Sequence, residues 1–231
     1  MEDKLIVALD CDSLKEAKKL IDVLFPEVKI FKIGYQLFLK EGWQTISLLK
    51  KKKAKVFLDL KLFDIPNTVC QTAKILMKED IFMFNIHALG GYKMMHEVVS
   101  VTKSRKKRPL IVAVTLLTSF DRKSLKQLGL KIDVKQEVVE LALLAKRAGL
   151  DGVVASAQDV QKIKEICGKN FIVVCPGIRP QGTSCNDQKR IATPAGAIAG
   201  GADYIVVGRP IREAKDPLLV AKKIKEQIRS V

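Results

Sequence analysis

Histidine is nearly absent from this chain: His87 and His96 are the only two in 231 residues. The five cysteines, Cys11, Cys70, Cys167, Cys175 and Cys185, are scattered and form no C-x-x-C pair. These shortages argue against a structural zinc site or a disulfide framework and for reduced thiols. After the first apolar run the chain reads ALDCDS, so the G-x-G-x-x-G fingerprint of a dinucleotide-binding turn is lacking. No apolar run approaches the roughly 20 residues that a membrane helix needs, and no membrane partner is expected. The N-terminus, MEDKLIVALD, opens with acids and passes straight into a strand pattern. A signal peptide is therefore not expected, and the cytoplasm is the expected location. No tract rich in proline, glycine or serine divides the chain, so residues 1–231 read as one domain.

Acids are also scarce. Asp and Glu number 25 against 41 Lys and Arg, a formal charge of +16. Such an excess suits a nucleic-acid binder or an enzyme of anionic substrates. The basic runs LKKKKAK (49–55) and KSRKKR (103–108) have no aromatic residues interleaved to stack bases. They read as solvated outer surface, and nucleic acid is not an expected partner. A basic RNA-binding barrel remains the alternative from another functional class. A steeply salt-dependent RNA affinity would favour it.

What the chain does hold is a repeated alternation of short apolar runs and longer amphipathic ones. The runs are LIVALD (5–10), KIFKIG (29–34), KVFLDL (55–60), MFNIHA (83–88), LIVAVT (110–115), DGVVAS (151–156), FIVVCP (171–176) and DYIVVG (203–208). Between them lie helical patterns such as SLKEAKKLIDVLF (13–25), where Ser13 caps and Glu16 completes a capping box. KQEVVELALLAKRAG (135–149) ends in a glycine suited to a helix C-terminus. Strands apolar on both faces and alternating with helices imply a parallel sheet, and eight is the number that closes a (β/α)8 barrel.

Active sites of such barrels lie at the C-terminal ends of the strands, and polar residues collect there. Asp10 closes the first strand, Lys32 sits near the end of the second, and Asp59 and Lys61 end the third. His87 ends the fourth, Thr118 follows the fifth, and Ser156 ends the sixth. Pro176 and Arg179 follow the seventh, and Gly208 and Arg209 the eighth. In VVGRPI (206–211), Gly208 permits close backbone approach, Arg209 offers a bidentate fork, and Pro210 suits a first helical turn. Loops after strands seven and eight are the usual phosphate site of these barrels. The segment GIRPQGTSCNDQKR (177–190) is long enough to fold over a ligand, with Arg179 and Gln188 as contacts.

The third strand carries the sharpest signal. Alternation puts Asp59 and Lys61 on one side of it, and Asp64 follows at once. Buried charge is costly unless paired or used. At about 4 Å and an effective dielectric near 20, each acid–lysine contact is worth on the order of 4 kcal/mol before desolvation. A purely structural ion network has no reason to gather at the catalytic rim beside a phosphate site. His87 reads as a hydrogen-bonded structural residue and His96 as surface.

FLDLKLFDIPNTV strongly resembles the D-x-K-x-x-D motif of the orotidine 5′-phosphate decarboxylase family in its bacterial form. The resemblance spans essentially the whole chain, through LIVALD, FKIGYQLF, NIHALGG, AVTLLTS, VCPGIRP and DQKRIATPAGAIAGGADYIVVGRPI. It implies loss of CO2 from orotidine 5′-monophosphate to give UMP, with no metal and no organic cofactor. It implies Lys61, Asp59, Asp64 and Lys32 as catalytic residues. It further implies that Asp10 and Lys32 hold the ribose and that Thr118 contacts the pyrimidine. Gln188 would bridge base and phosphate, and Arg179, Gly208 and Arg209 would bind the phosphoryl group, with Pro176 a wall. Asp64 and Thr68 would serve the neighbouring subunit of a homodimer with shared sites. Magnesium-dependent sugar-phosphate decarboxylases and aldolases share the triplet and form the alternative. They carry a glutamate on strand two, where this chain has Lys32, and sensitivity to EDTA separates the two.

Overall fold

The computed structural model describes residues 3–103, 108–129, 132–180 and 192–231. Its eight strands are β1 (Leu5–Ala8), β2 (Ile30–Gly34), β3 (Lys55–Leu62), β4 (Met83–His87), β5 (Leu110–Val114), β6 (Gly152–Val154), β7 (Ile172–Cys175) and β8 (Tyr204–Val207). Each pairs in parallel with the next, and β1 pairs with β8, closing the barrel in sequence order. Every expected strand is present, most of them shorter than the apolar run by one or more residues at an end, and β3 two residues longer.

Local chemistry accounts for the helix ends. Ser13 caps helix Leu14–Leu24 by accepting from the Glu16 N–H. Glu16 reaches back to the Asp12 N–H at 3.0 Å rather than to Ser13, so the capping box closes one residue early. Helix Val134–Ala148 stops at Gly149, whose φ of 89° is the left-handed conformation that glycine adopts without penalty.

Period-two alternation sorts the strands into two cores. Val7, Phe31, Leu58, Phe84 and Ile86 face outward and pack under the helices. Ile6, Ala8, Ile30, Phe57, Met83, Val112, Val174 and Val206 point inward and fill the barrel. Two residues further along the same inward rows come Lys32 after Ile30, Asp59 after Phe57 and Asn85 after Met83, all buried. The apolar plug is thus the floor of the polar layer above it.

The first basic run and Arg108 sit at the other, N-terminal end of the barrel, while residues 104–107 of the second run lie outside the described residues. Lys52 pairs with Asp22 at 2.6 Å, Lys50 with Glu79 at 3.4 Å, and Lys55 lies over the Phe82 ring. Arg108 makes a bidentate contact with Asp151 at 2.6 and 2.7 Å. That carboxylate also accepts the Ile111 N–H, so it ties the starts of β5 and β6 together. Part of this charge is structural rather than merely solvated. No helix among the described residues is long and apolar enough to cross a membrane.

Candidate active site

A cavity of about 340 Å³ opens at the C-terminal rim. Asp10, Lys32, Asp59 and Lys61 line it from β1 to β3, and Pro176, Gly177, Arg179, Gly208 and Arg209 line it from β7 and β8. Thr118 and Ser119 close the β5 side, and Ala8, Phe57, Val114, Val154 and Val206 form its apolar base. The volume falls within the range of small-ligand sites.

The charged residues form a chain. Lys32 Nζ lies 3.0 Å from Asp10 Oδ1 and 3.2 Å from Asp59 Oδ2. Lys61 Nζ lies 2.7 Å from the other oxygen of Asp59. Two acids and two lysines alternate, so their formal charges cancel before any ligand enters. Burial pushes the Asp59 carboxyl up, but Lys32 and Lys61 outweigh it and hold the group below its usual range. Burial pulls Lys32 down, and the Asp59 and Asp10 carboxylates more than restore it, leaving it above the ordinary lysine value. Both groups are therefore ionised at neutral pH.

Gly34 marks how tightly this chain is packed. A methyl group there would stand 3.1 Å from Lys32 Nζ and 3.2 Å from Asp10 Oδ1, crowding the ion pair. At the phosphate-binding end expected from the sequence, a methyl on Gly208 would touch Ala8 Cβ at 3.4 Å. Arg179 is buried, its backbone N–H donating to Ala192 across the bridge between Ile178 and Ala192.

The other expected residues fall elsewhere. Asp64 and Thr68 are exposed and do not line this cavity. Asp64 accepts from the Ile65 N–H at 2.6 Å ahead of helix Pro66–Leu76. Gln188, Cys185 and most of the 177–190 segment lie outside the described residues. Ser156 is buried behind the rim, where its hydroxyl receives the Gln158 N–H at 3.4 Å. His87 caps a short turn through Nδ1, which accepts from Leu89 N–H at 3.3 Å. Burial, then the nearby Lys61, holds its pKa below the usual value, so a neutral structural imidazole fits. His96 stacks on Tyr92 at the surface. Burial pushes the Cys11 thiol, next to Asp10, up to about 11, which leaves it unreactive near neutrality.

Three residues went unread in the sequence. Asn85 donates to Asp59 Oδ1 at 2.6 Å and accepts the Lys61 N–H at 2.7 Å. Tyr35 donates its hydroxyl to the Leu60 carbonyl. Gly34 is the third. The only signal for Asn85 was an amide inside the apolar run MFNIH, in the inward row set by Met83.

A closed (β/α)8 barrel with its polar cavity at the C-terminal rim defines a barrel of the enzyme type. The family model described as orotidine 5′-phosphate decarboxylase / HUMPS matches residues 3–224. The orotidine 5′-phosphate decarboxylase of Carboxydothermus hydrogenoformans is 48% identical over 235 residues, covering 100% of this chain and 98% of that protein. That of Moorella thermoacetica is 42% identical, covering 100% and 94%. The crystal structure of the Lactobacillus acidophilus orotidine 5′-phosphate decarboxylase superposes with a TM-score of 0.87 at 36% identity, over 98% of this chain and 99% of that one. The chain belongs to the orotidine 5′-phosphate decarboxylase / HUMPS family.

Proposed function

We propose that the protein decarboxylates orotidine 5′-monophosphate to UMP, using side chains alone. The observation that carries this reading is the Lys61 ammonium, 2.7 Å from a buried Asp59 at the mouth of an apolar-floored cavity. The C6–carboxylate bond breaks, CO2 departs, and the electron pair stays on C6. The pyrimidine ring delocalises that pair poorly, so the barrier is high, and enzymes remove up to roughly 23 kcal/mol in such cases. Lys61 stabilises the developing carbanion as an ammonium and then transfers a proton from Nζ to C6. Asp59 lies beside the departing carboxylate and keeps Lys61 charged.

Lys32 and Asp10 hold the ribose hydroxyls, and Thr118 contacts the pyrimidine edge, with Pro176 as a wall. Arg179, Gly208 and Arg209 bind the phosphoryl group, and Gln188 bridges base and phosphate. Binding energy from that unreactive phosphate is available to stabilise the transition state. Two features favour this reaction over a magnesium-assisted one on a sugar phosphate. The second strand offers Lys32 where a metal ligand would be needed, and its ammonium already bridges the Asp10 and Asp59 carboxylates.

Asp64 and Thr68 serve the partner's site in a homodimer. Support comes from their position outside this chain's own cavity, and from the exposed apolar residues around them. Phe63 and Ile65, 60% and 67% exposed, flank Asp64, and Phe63 packs on His87 beside exposed Leu89. Residues 1–231 make a single barrel domain per subunit, and buried free thiols at Cys11, Cys70, Cys167 and Cys175 suit the cytoplasm.

The test is direct. Metal-stripped protein in EDTA, given orotidine 5′-monophosphate, should change its ultraviolet absorbance to that of UMP. No change, or turnover only after magnesium is added, overturns the reading.

A further inference from the structure

A parallel strand normally satisfies each peptide group through the ladders on its two sides. Strand β3 departs from this at the catalytic lysine. Leu58 pairs with Phe84 and Leu62 with Ile86, an advance of four residues along β3 against two along β4. Asp59, Leu60 and Lys61 therefore face a single residue, Asn85. The extra chain is taken up in a bulge, and Lys61 adopts a φ of 45°, in the left-handed region that side-chain-bearing residues avoid. Such a conformation persists only where its surroundings impose it, and it re-aims the side chain.

Two side chains replace the missing ladder bonds, and both act on one peptide group. The Lys61 N–H donates to Asn85 Oδ1 at 2.7 Å, and the Leu60 carbonyl accepts from the Tyr35 hydroxyl. Asn85 is 1% exposed, and its amide nitrogen donates to Asp59 Oδ1 at 2.6 Å. The same Asp59 oxygen receives Lys61 Nζ. The Tyr35 ring lies under that ammonium, 5.6 Å from it. An amide meets both demands at residue 85, accepting from one group and donating to another. A carboxylate would face Asp59 with like charge, and an apolar isostere would leave the Lys61 N–H without an acceptor.

We infer that Asn85 and Tyr35 are positioning residues, which lock the Leu60–Lys61 peptide so that the Lys61 ammonium points into the cavity. Asn85 further ties that peptide to the Asp59 carboxylate, so backbone and acid move as one unit. The role rests on the reading of Lys61 as proton donor. Neither residue lines the cavity, so loss of either should appear in kcat rather than KM.

The variants Asn85→Ala, Asn85→Asp, Tyr35→Phe and the double variant Tyr35→Phe/Asn85→Ala test this by steady-state kinetics on orotidine 5′-monophosphate and by crystallography. Asn85→Ala and Asn85→Asp should each lower kcat by about 100-fold with KM little changed, the scale of an approximately 1 Å misplacement of a catalytic group. Tyr35→Phe should lose about tenfold, the order of one hydrogen bond. The double variant should lose less than the product of the single losses, because both groups hold one peptide. In the Asn85→Ala crystal structure, Lys61 should return to negative φ and its Nζ should leave Asp59. Folded single variants with kcat within about threefold of wild type overturn the inference. So does an Asn85→Ala structure in which Lys61 keeps its conformation and its Asp59 contact. Should Asn85→Ala fail to fold, Tyr35→Phe removes one oxygen from a half-exposed side chain and decides the matter alone. If the wild type does not turn over the substrate, the functional reading fails, and the Lys61 geometry in the variants still decides the positioning role.

Discussion

Lys61 Nζ and Asp59 Oδ1 lie 2.7 Å apart although the two residues belong to the same strand, with Lys61 at a φ of 45°. A regular strand would put both on one face, but the bulge brings the ammonium back over the carboxylate. Asp59 is then shared between Lys61 and Lys32, and Lys32 between Asp59 and Asp10. Without Lys61, Asp59 keeps only Lys32, and without Asp59, Lys32 keeps only Asp10, so each charge in the row supports its neighbours.

Lys61→Ala should abolish turnover and leave the fold intact, since in the proposed mechanism it removes both the charge stabiliser and the proton donor. The side chain is 30% exposed, so its truncation opens no sealed cavity. Circular dichroism and steady-state rates check this together. A folded variant that keeps more than about a tenth of the wild-type rate, a loss under ~1.4 kcal/mol, removes Lys61 from the centre of the reaction.

The strands, the closed barrel and the acid–lysine rows were legible because two-residue periodicity and parallel pairing are both written in apolar spacing. Asp10, Lys32 and Asp59 follow from that spacing alone. The bulge does not, because nothing in KVFLDLKL marks where pairing with β4 slips by two residues. Asn85 becomes meaningful only once the register sets it opposite three residues of β3. Tyr35 reads as the first residue of a helix, and its bond to the Leu60 carbonyl is a contact between elements. The basic runs were half legible: Arg108 belongs to a structural fork with Asp151, across 43 residues of sequence.

The network sets a pH dependence of stability. Burial opposes charge on Asp59, but Lys32 and Lys61 prevail and its folded pKa lies below the unfolded value. Its contribution is full above about pH 4 and is lost as pH falls through the folded value. Lys32 is opposed by burial but raised by Asp59 and Asp10. Its contribution is full below about pH 10 and is lost as pH rises through the raised value. Asp59→Asn should lower Tm near neutrality by roughly 6–12 °C, for about 3 kcal/mol from a broken buried pair. It should also bring the alkaline loss to lower pH, because Lys32 keeps its burial and only one acid. Calorimetry across pH checks both effects, and an unchanged profile in the variant would show that the pair contributes nothing to folding.

Arg209→Ala should reduce kcat/KM for orotidine 5′-monophosphate by roughly 10–100-fold, the loss of a charge-assisted contact to the phosphate. The slow reaction of the phosphate-free nucleoside should hardly change, because the arginine has nothing there to hold. Parallel assays of the two substrates separate the cases. Equal losses on both would make Arg209 a structural residue of the β8 rim.

Asp64 distinguishes a shared site from a private one. Under the proposed shared site, Lys61→Ala and Asp64→Ala homodimers should each be nearly inactive, because every site in either would lack one essential group. If Asp64 works across a twofold interface, a mixed dimer holds one doubly damaged site and one intact site. Equal amounts of the two variants, dissociated and reassembled at random, make about half the dimers mixed, so activity should return to about a quarter of wild type per site. If Asp64 instead serves its own subunit, mixing creates no intact site and activity stays at the floor. Mass spectrometry establishes that mixed dimers are present. Persistent inactivity in their presence would assign Asp64 to its own chain, and the exposed Phe63 and Ile65 beside it would then need another explanation.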